Sequence, residues 1–219
     1  MKKILLSLTA VALFAVGAQA QVGYGIKAGV NLGKISNSPF EAEFEAPGVD
    51  IKEVLNPSFY ITGFADIFVA PNFSIQPGLS LQGKGSKTKA SFDDESAHIA
   101  VNIMSIEIPV NAVYYIPAGP GSVFLGAGPY AGYNVSGKLS GKINDEKIDF
   151  DGEDKVDFSG DDKDMNAFDA GVNFLGGYKL PNGLIINAGY GLGLTNLNPD
   201  SDSKKLNNRV LSFGVGFQF

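Results

Sequence analysis

The sequence predicts an all-β protein, an eight-stranded antiparallel up-and-down transmembrane β-barrel. Three observations carry that reading. Apolar residues alternate with small or polar ones through eight successive segments, the signature of strands with two different environments. Short turns alternate with long polar connections, so all long loops fall at one end, as in outer-membrane barrels. Nowhere after the N-terminus does an apolar run approach the ~18 residues a membrane helix needs.

The N-terminus comes first. Lys2 and Lys3 precede the apolar run Ile4 to Val16, and Ala18-Gln19-Ala20 is a small-x-small site. This pattern predicts a signal peptide over residues 1–20, cleaved before Gln21, and a barrel domain over 21–219. The alternative, an N-terminal membrane anchor, is disfavoured because the run is too short to span.

The strands follow in order. Gly23–Leu32 sets Tyr24, Ile26, Ala28, Val30 and Leu32 against Gly23, Gly25, Lys27, Gly29 and Asn31. Ser58–Val69 sets Phe59, Ile61, Ala65, Ile67 and Val69 against Tyr60, Thr62, Phe64 and Asp66. In Phe73–Gly85 the polar side includes Gln76, Gly78 and Lys84, and in Ile99–Tyr115 it includes Ser105, Glu107, Asn111 and Tyr115. Ser122–Ser136, Ala167–Leu180, Leu184–Leu197 and Asn208–Phe219 repeat the pattern, with Asp169 and Lys179 on the polar side of the sixth. Ala70-Pro71-Asn72, Pro117 to Gly121 and Pro181-Asn182-Gly183 are the short turns. Gly33–Pro57, Ser86–His98, Gly137–Asn166 and Asn198–Asn207 are the long loops. Pro77, Pro109 and Pro129 fall inside strands, where each removes a backbone donor, so a bulge or local break is expected at each.

A soluble eight-stranded barrel has the same period with its faces reversed. The polar face here carries 14 glycines, which suit a crowded interior and weaken an exposed strand. Aromatics of the apolar face cluster near strand ends: Tyr24, Phe73, Tyr114, Tyr178 and Phe219 toward the short turns, Phe59, Tyr133 and Phe168 toward the long loops. Two such girdles mark the membrane interfaces. The chain also ends in an alternating strand with a terminal Phe219. The apolar face therefore points to lipid.

Composition narrows the chemistry. The 219 residues contain no Cys and one His, which excludes disulfide scaffolds, thiol catalysis and a His-rich metal site. Net charge is 17 − 23 = −6, a poor balance for nucleic acid, and no nucleic-acid partner is expected. On the lumen face Lys27, Lys84 and Lys179 stand against Asp66, Glu107 and Asp169, three of each sign. These six are the candidate site, read as a self-neutralised polar network; the alternative is a selective ion path. Eight strands leave an interior just wide enough for side chains, which favours the network. His98, with Ser96 two residues before it, offers a weak case for a hydrolase, and a solvated rim histidine is preferred. The loop Gly137–Asn166 carries ten acids and five lysines. Asp149-Phe150-Asp151-Gly152 hints at calcium, but a solvated, mobile loop is the preferred reading, and Ile143, Ile148, Phe150, Val156 and Phe158 suggest a hairpin extending outward. Gly189-x-Gly191-x-Gly193 lacks the strand-then-helix context of a nucleotide loop. No catalytic residue, metal site or cofactor is expected.

The run Ser105-Ile106-Glu107-Ile108-Pro109-Val110-Asn111-Ala112-Val113-Tyr114-Tyr115 resembles the fourth strand of the PorT-like small outer-membrane β-barrel proteins of the Bacteroidetes. Gly25-Ile26-Lys27-Ala28-Gly29-Val30-Asn31, Gly126-Ala127-Gly128-Pro129-Tyr130-Ala131-Gly132-Tyr133, Phe168-Asp169-Ala170-Gly171 and Tyr190-Gly191-Leu192-Gly193-Leu194-Thr195-Asn196-Leu197 resemble other strands of that family, in the same order. The resemblance implies an eight-stranded barrel in a Gram-negative outer membrane, with no catalytic motif, and one member linked to secretion. The expected function is a non-enzymatic structural or binding role through acidic external loops. A narrow porin-like channel and a lipid-modifying enzyme are the alternatives. Expected partners are outer-membrane lipid, the barrel assembly machinery, and a surface protein or polysaccharide.

Overall fold

A computed structural model describes residues 22–36, 50–92, 95–144, 146–148, 150, 154–160, 162–200 and 204–219. The expected signal peptide lies outside the described residues.

The described residues form one antiparallel sheet of ten strands, not the eight expected. They are β1 (Val22–Ser36), β2 (Asp50–Val54), β3 (Asn56–Ala70), β4 (Phe73–Phe92), β5 (Glu95–Ala118), β6 (Gly121–Ile143), β7 (Glu146–Lys147), β8 (Phe168–Lys179), β9 (Leu184–Gly193) and β10 (Asn207–Gln218). The hydrogen-bonded order is β2-β4-β3-β1-β10-β9-β8-β6-β5; β7 pairs with β6, and β4 also pairs with β5. The first and last strands run side by side from Gly25↔Gln218 to Ser36↔Asn207.

The two extra strands arise where the sequence reads as loop. Val54 lies opposite Lys87 and Tyr60 opposite Gln82, so six steps on one strand face five on β4. The surplus residue is accommodated around Leu55, which divides β2 from β3 as a bulge does. At the other side β6 continues to Ile143 and turns through Asn144, at φ 49°, into β7. The loop expected over Ser86–His98 is mostly strand as well: β4 and β5 stay paired from Gly85↔Asn102 to Phe92↔Glu95. These segments carry little apolar alternation because they project beyond the band where one face meets lipid. Backbone pairing defines them.

Within the band the protein is inside out. Ile108, Leu125 and Val215 are each 58% exposed, while Val113, Asp66 and Asp169 are 0% exposed. Apolar outward faces and polar or aromatic inward faces alternate along every long strand, as the bilayer demands of a spanning sheet. Six large rings point inward: Tyr60, Phe64 and Phe68 from β3, Tyr115 from β5, Phe124 and Tyr130 from β6. Glycines of the facing or adjoining wall make their room. A Cβ on Gly25 would strike the Phe64 ring, on Gly214 the Tyr60 hydroxyl, on Gly171 the Tyr130 ring, and on Gly177 the Phe124 ring.

Pro77, Pro109 and Pro129 each stand at a gap in one ladder, whereas Pro57 and Pro117, near strand ends, keep their pairing. Pairing of β3 with β4 stops at Phe64↔Gly78 and resumes at Ile67↔Ile75, beside Pro77. Pairing of β4 with β5 stops at Pro77↔Val110 and resumes at Ser80↔Glu107, beside Pro109. Pairing of β5 with β6 stops at Pro109↔Tyr130 and resumes at Ala112↔Ala127, beside Pro129. Both strands advance equally across each gap, so these are breaks without a register shift. The register shifts instead fall at Phe68/Ala70 and Met104/Ser105.

Amide exchange mapping checks the breaks. At least one amide in each of the pairs Ala65–Asp66, Gly78–Leu79 and Val110–Asn111 should exchange faster than those of Ala28–Asn31, where pairing with β10 is unbroken. Equal protection throughout would refute the broken ladders.

Candidate functional site

The alternation that sends apolar residues to lipid sends Lys84, Glu107 and Asp169 inward from β4, β5 and β8. Lys84 is 4% exposed, Glu107 3% and Asp169 0%. The Lys84 ammonium contacts the Glu107 carboxylate and lies 2.7 Å from Asp169 Oδ2. It also sits over the Tyr130 ring, 4.6 Å from the centroid. Asp169 accepts further hydrogen bonds from Asn208 Nδ2 at 2.9 Å and from the Thr195 hydroxyl at 3.0 Å. One lysine thus serves two acids, and neutral donors from β10 and the segment after β9 complete the shell of Asp169.

Asp66 anchors a second cluster nearer the short turns. It accepts from Gln76 Nε2 at 3.0 Å, the Tyr115 hydroxyl at 2.8 Å and Gln218 Nε2 at 3.2 Å. Lys179 donates to Gln218 Oε1 at 3.0 Å and lies 4.9 Å from the centre of the Tyr115 ring. Lys27 reaches Gln76 Oε1 at 3.5 Å and lies over the Phe64 ring, 4.3 Å from its centre. The six candidate residues therefore fall into two groups. Lys84, Glu107 and Asp169 meet as ions. Lys27, Asp66 and Lys179 are linked through Gln76, Gln218 and aromatic rings, and no ion pair joins them among the described residues.

Apolar layers bracket the charged group. Toward the short turns Phe64, Val113, Tyr115, Phe124 and Ile185 pack together. Toward the long connections Ile35, Val101, Ile103, Val156, Met165 and Leu197 do the same. Val156 and Met165 come from the connection read as a solvated loop, and that expectation is corrected: part of it folds onto the mouth. Val156 N donates to Gly137 O, and Asn166 Nδ2 bonds the carbonyls of Asn196 and Asn198, both at 3.0 Å. A Cβ on Gly137 would strike Val156 and Phe158, so this glycine clears the seat. Outside the membrane band, the Lys138 ammonium, 2.6 Å from the Asp154 carboxylate, bonds it and holds its pKa below the usual carboxylate range. Between the layers a cavity of about 100 Å³ remains, lined in part by Lys27, Tyr60, Glu107, Asn111 and Asn187. That volume suits a few waters.

The other candidates fare differently. His98 lies in the ladder between Lys89 and Lys142, and Ser96 N bonds Asn144 Oδ1 at 3.0 Å. Of the calcium-like run, Asp149, Asp151 and Gly152 lie outside the described residues. Gly189, Gly191 and Gly193 are in or at the end of β9 and face inward. Sequence alternation also put Gln76, Tyr115, Tyr130 and Gln218 on the inward face, but gave no sign of which carboxylate each would serve. Asn208 had no signal beyond its place at a strand start.

A family profile described as outer membrane protein beta-barrel domain matches residues 17–198. Among solved structures, the chain is similar to the attachment invasion locus protein Ail of Yersinia pestis, at 11% identity over 91% of this chain and 99% of that one, TM-score 0.42. It is also similar to the outer membrane protein OprG of Pseudomonas aeruginosa, at 11% identity over 92% and 97%, TM-score 0.44. Neisserial surface protein A matches at 14% identity over 91% and 99%, TM-score 0.43. No curated protein matches the chain.

The Lys84→Met variant leaves two carboxylates buried together without a counter-ion. Its heat-unfolding midpoint in detergent should fall, at a cost of about 3–5 kcal/mol. The triple variant Lys84→Met, Glu107→Gln, Asp169→Asn should recover part of the loss. A single variant as stable as the wild type would show that the triad does not hold the lumen together.

Proposed function

As a member of the outer membrane protein beta-barrel domain family, the chain is an outer-membrane β-barrel, and we propose that it works there as a non-enzymatic structural or binding protein acting through its external side. The observation that carries this reading is the filling of the lumen: an ion triad clamped between two apolar layers, with aromatic rings set into glycine-lined recesses. Such packing opposes the narrow-channel alternative, because a permeating ion would have to cross apolar layers and displace a bonded lysine. The strand lengths support it from the other side. About 9–11 residues span a bilayer as a tilted strand, yet β5 has 24 residues and β6 has 23. Their excess lies at the end of the long connections, where it serves contact with the surroundings.

The same reading includes a signal peptide cleaved before Gln21, insertion by the barrel assembly machinery, and a place among the PorT-like barrels with a secretion-associated or surface partner. The polar network of Lys27, Asp66, Lys84, Glu107, Asp169 and Lys179 acts in it as a structural brace.

Planar-bilayer recording of the purified protein tests the reading. No stable conductance is expected, and cross-linked native membranes should yield a partner bound at the external end. A steady, sizeable conductance would establish the channel instead.

A further inference from the structure

Five strands carry a basic residue at the same height of the projecting sheet. Lys52 of β2 pairs with Lys89 of β4. Lys89 pairs with His98 of β5, His98 with Lys142 of β6, and Lys142 with Lys147 of β7. Directly opposed residues in antiparallel strands share one face, so the five side chains stand in a single row. At a strand spacing of ~4.8 Å the row is about 19 Å wide. Lys52 opposite Lys89 and Lys142 opposite Lys147 set like charges against each other, an arrangement that disfavours sheet pairing.

The row lies outside the lipid band. Along the outward face of β5, Ile116, Tyr114, Val110, Ile108 and Ile106 are exposed and apolar, and the face turns polar at Asn102. His98 lies four residues further out. The outward faces of β4 and β6 change in the same way, from Leu79 to Lys87 and Lys89, and from Tyr133 and Val135 to Lys138 and Lys142. Lys52, Lys89 and Lys147 are exposed. Among the described residues Lys89, Lys142 and Lys147 make no ion pair.

We propose that this cross-strand row of Lys52, Lys89, His98, Lys142 and Lys147 binds an acidic polysaccharide chain lying across the projecting sheet. Charge complementarity calls for a polyanion, and three features favour a glycan. The strand spacing is close to the length of one sugar residue, so successive lysines can meet successive acidic sugars. Ser91, Ser96 and Ser140 are among the next positions on the same face and offer hydrogen bonds to sugar hydroxyls; Lys87 is there too, and Asp50 takes the position opposite Ser91. Exposed aromatic or large aliphatic anchors, the usual centre of a protein interface, are missing from these rows among the described residues. The surface is basic although the chain is acidic overall, so it goes beyond a role for the acidic loops, and either can fail without the other.

The test uses the full protein in detergent, with immobilised polygalacturonate as the probe and dextran and double-stranded DNA as comparisons. Polygalacturonate should bind with an affinity that falls as salt rises, and dextran should not bind. Lys89→Gln with Lys142→Gln should weaken binding about tenfold and lower the salt slope by about 1–2. Lys204→Gln with Lys205→Gln should leave it unchanged. These side chains are surface groups, and unchanged heat-unfolding confirms intact folding. Undiminished binding in the Lys89/Lys142 variant, equal binding of dextran, or preference for DNA over polygalacturonate would overturn the proposal. Loss of a pull-down partner with intact polygalacturonate binding would count against the acidic-loop role alone.

Discussion

The bilayer core offers no water to an exposed backbone, and the rest of this structure depends on that constraint. Every spanning N–H and C=O must find a partner in a neighbouring strand. Extended strands then force alternate side chains to opposite faces, so a lipid-facing residue such as Ile108 fixes an inward-facing neighbour such as Glu107. Three prolines strain the arrangement, and the sheet absorbs them by dropping pairs rather than by slipping register. A slip would have exchanged the faces of everything beyond it. The cost of a few lost hydrogen bonds is smaller than that of placing Glu107 or Asp169 in lipid.

The lumen solves a second problem with the same economy. Burying charge in a narrow interior is unfavourable unless each ion is met. Lys84 meets two acids, and Asn208 and Thr195 complete the shell of Asp169. Asp66 is satisfied without a lysine in contact, through an amide pair and a phenol. Equal numbers of opposite charges thus do not make one network. Chain geometry divides them, because Lys84 stands at the height of Glu107 and Asp169 while Lys27 and Lys179 do not.

Much of this was legible in the sequence where lipid imposes a pattern. Tyr24 to Leu32, Ile106 to Tyr114 and Leu211 to Phe219 announce both strand and face, because one side of each meets hydrocarbon. The same rule goes silent outside the membrane. Lys87 to Phe92 and Gly137 to Ile143 look like loops, since neither face is obliged to be apolar, yet they are paired strand. The count of eight failed there, and at Leu55, where one surplus residue interrupts a ladder that composition cannot show. Which inward residues touch was also hidden. Lys84 and Asp169 are 85 residues apart in sequence, and their meeting depends on strand tilt and stagger, not on local pattern. The basic row was invisible for a related reason: its five members lie in three separate stretches read as loops, each with excess acid.

The six inward rings all come from β3, β5 and β6, whereas β8, β9 and β10 face inward chiefly with glycine, asparagine and small aliphatic residues. One arc of the wall carries the rings, and the other carries smaller side chains together with the polar groups Asp169, Lys179, Asn208 and Gln218. The bulk of the ring-bearing arc is therefore contributed by three strands, while the triad and the apolar layers draw on both arcs. Chains of this design can change how much of the interior is filled by shrinking residues such as Tyr60, Phe64 and Phe124, without altering strand number, register or the face shown to lipid.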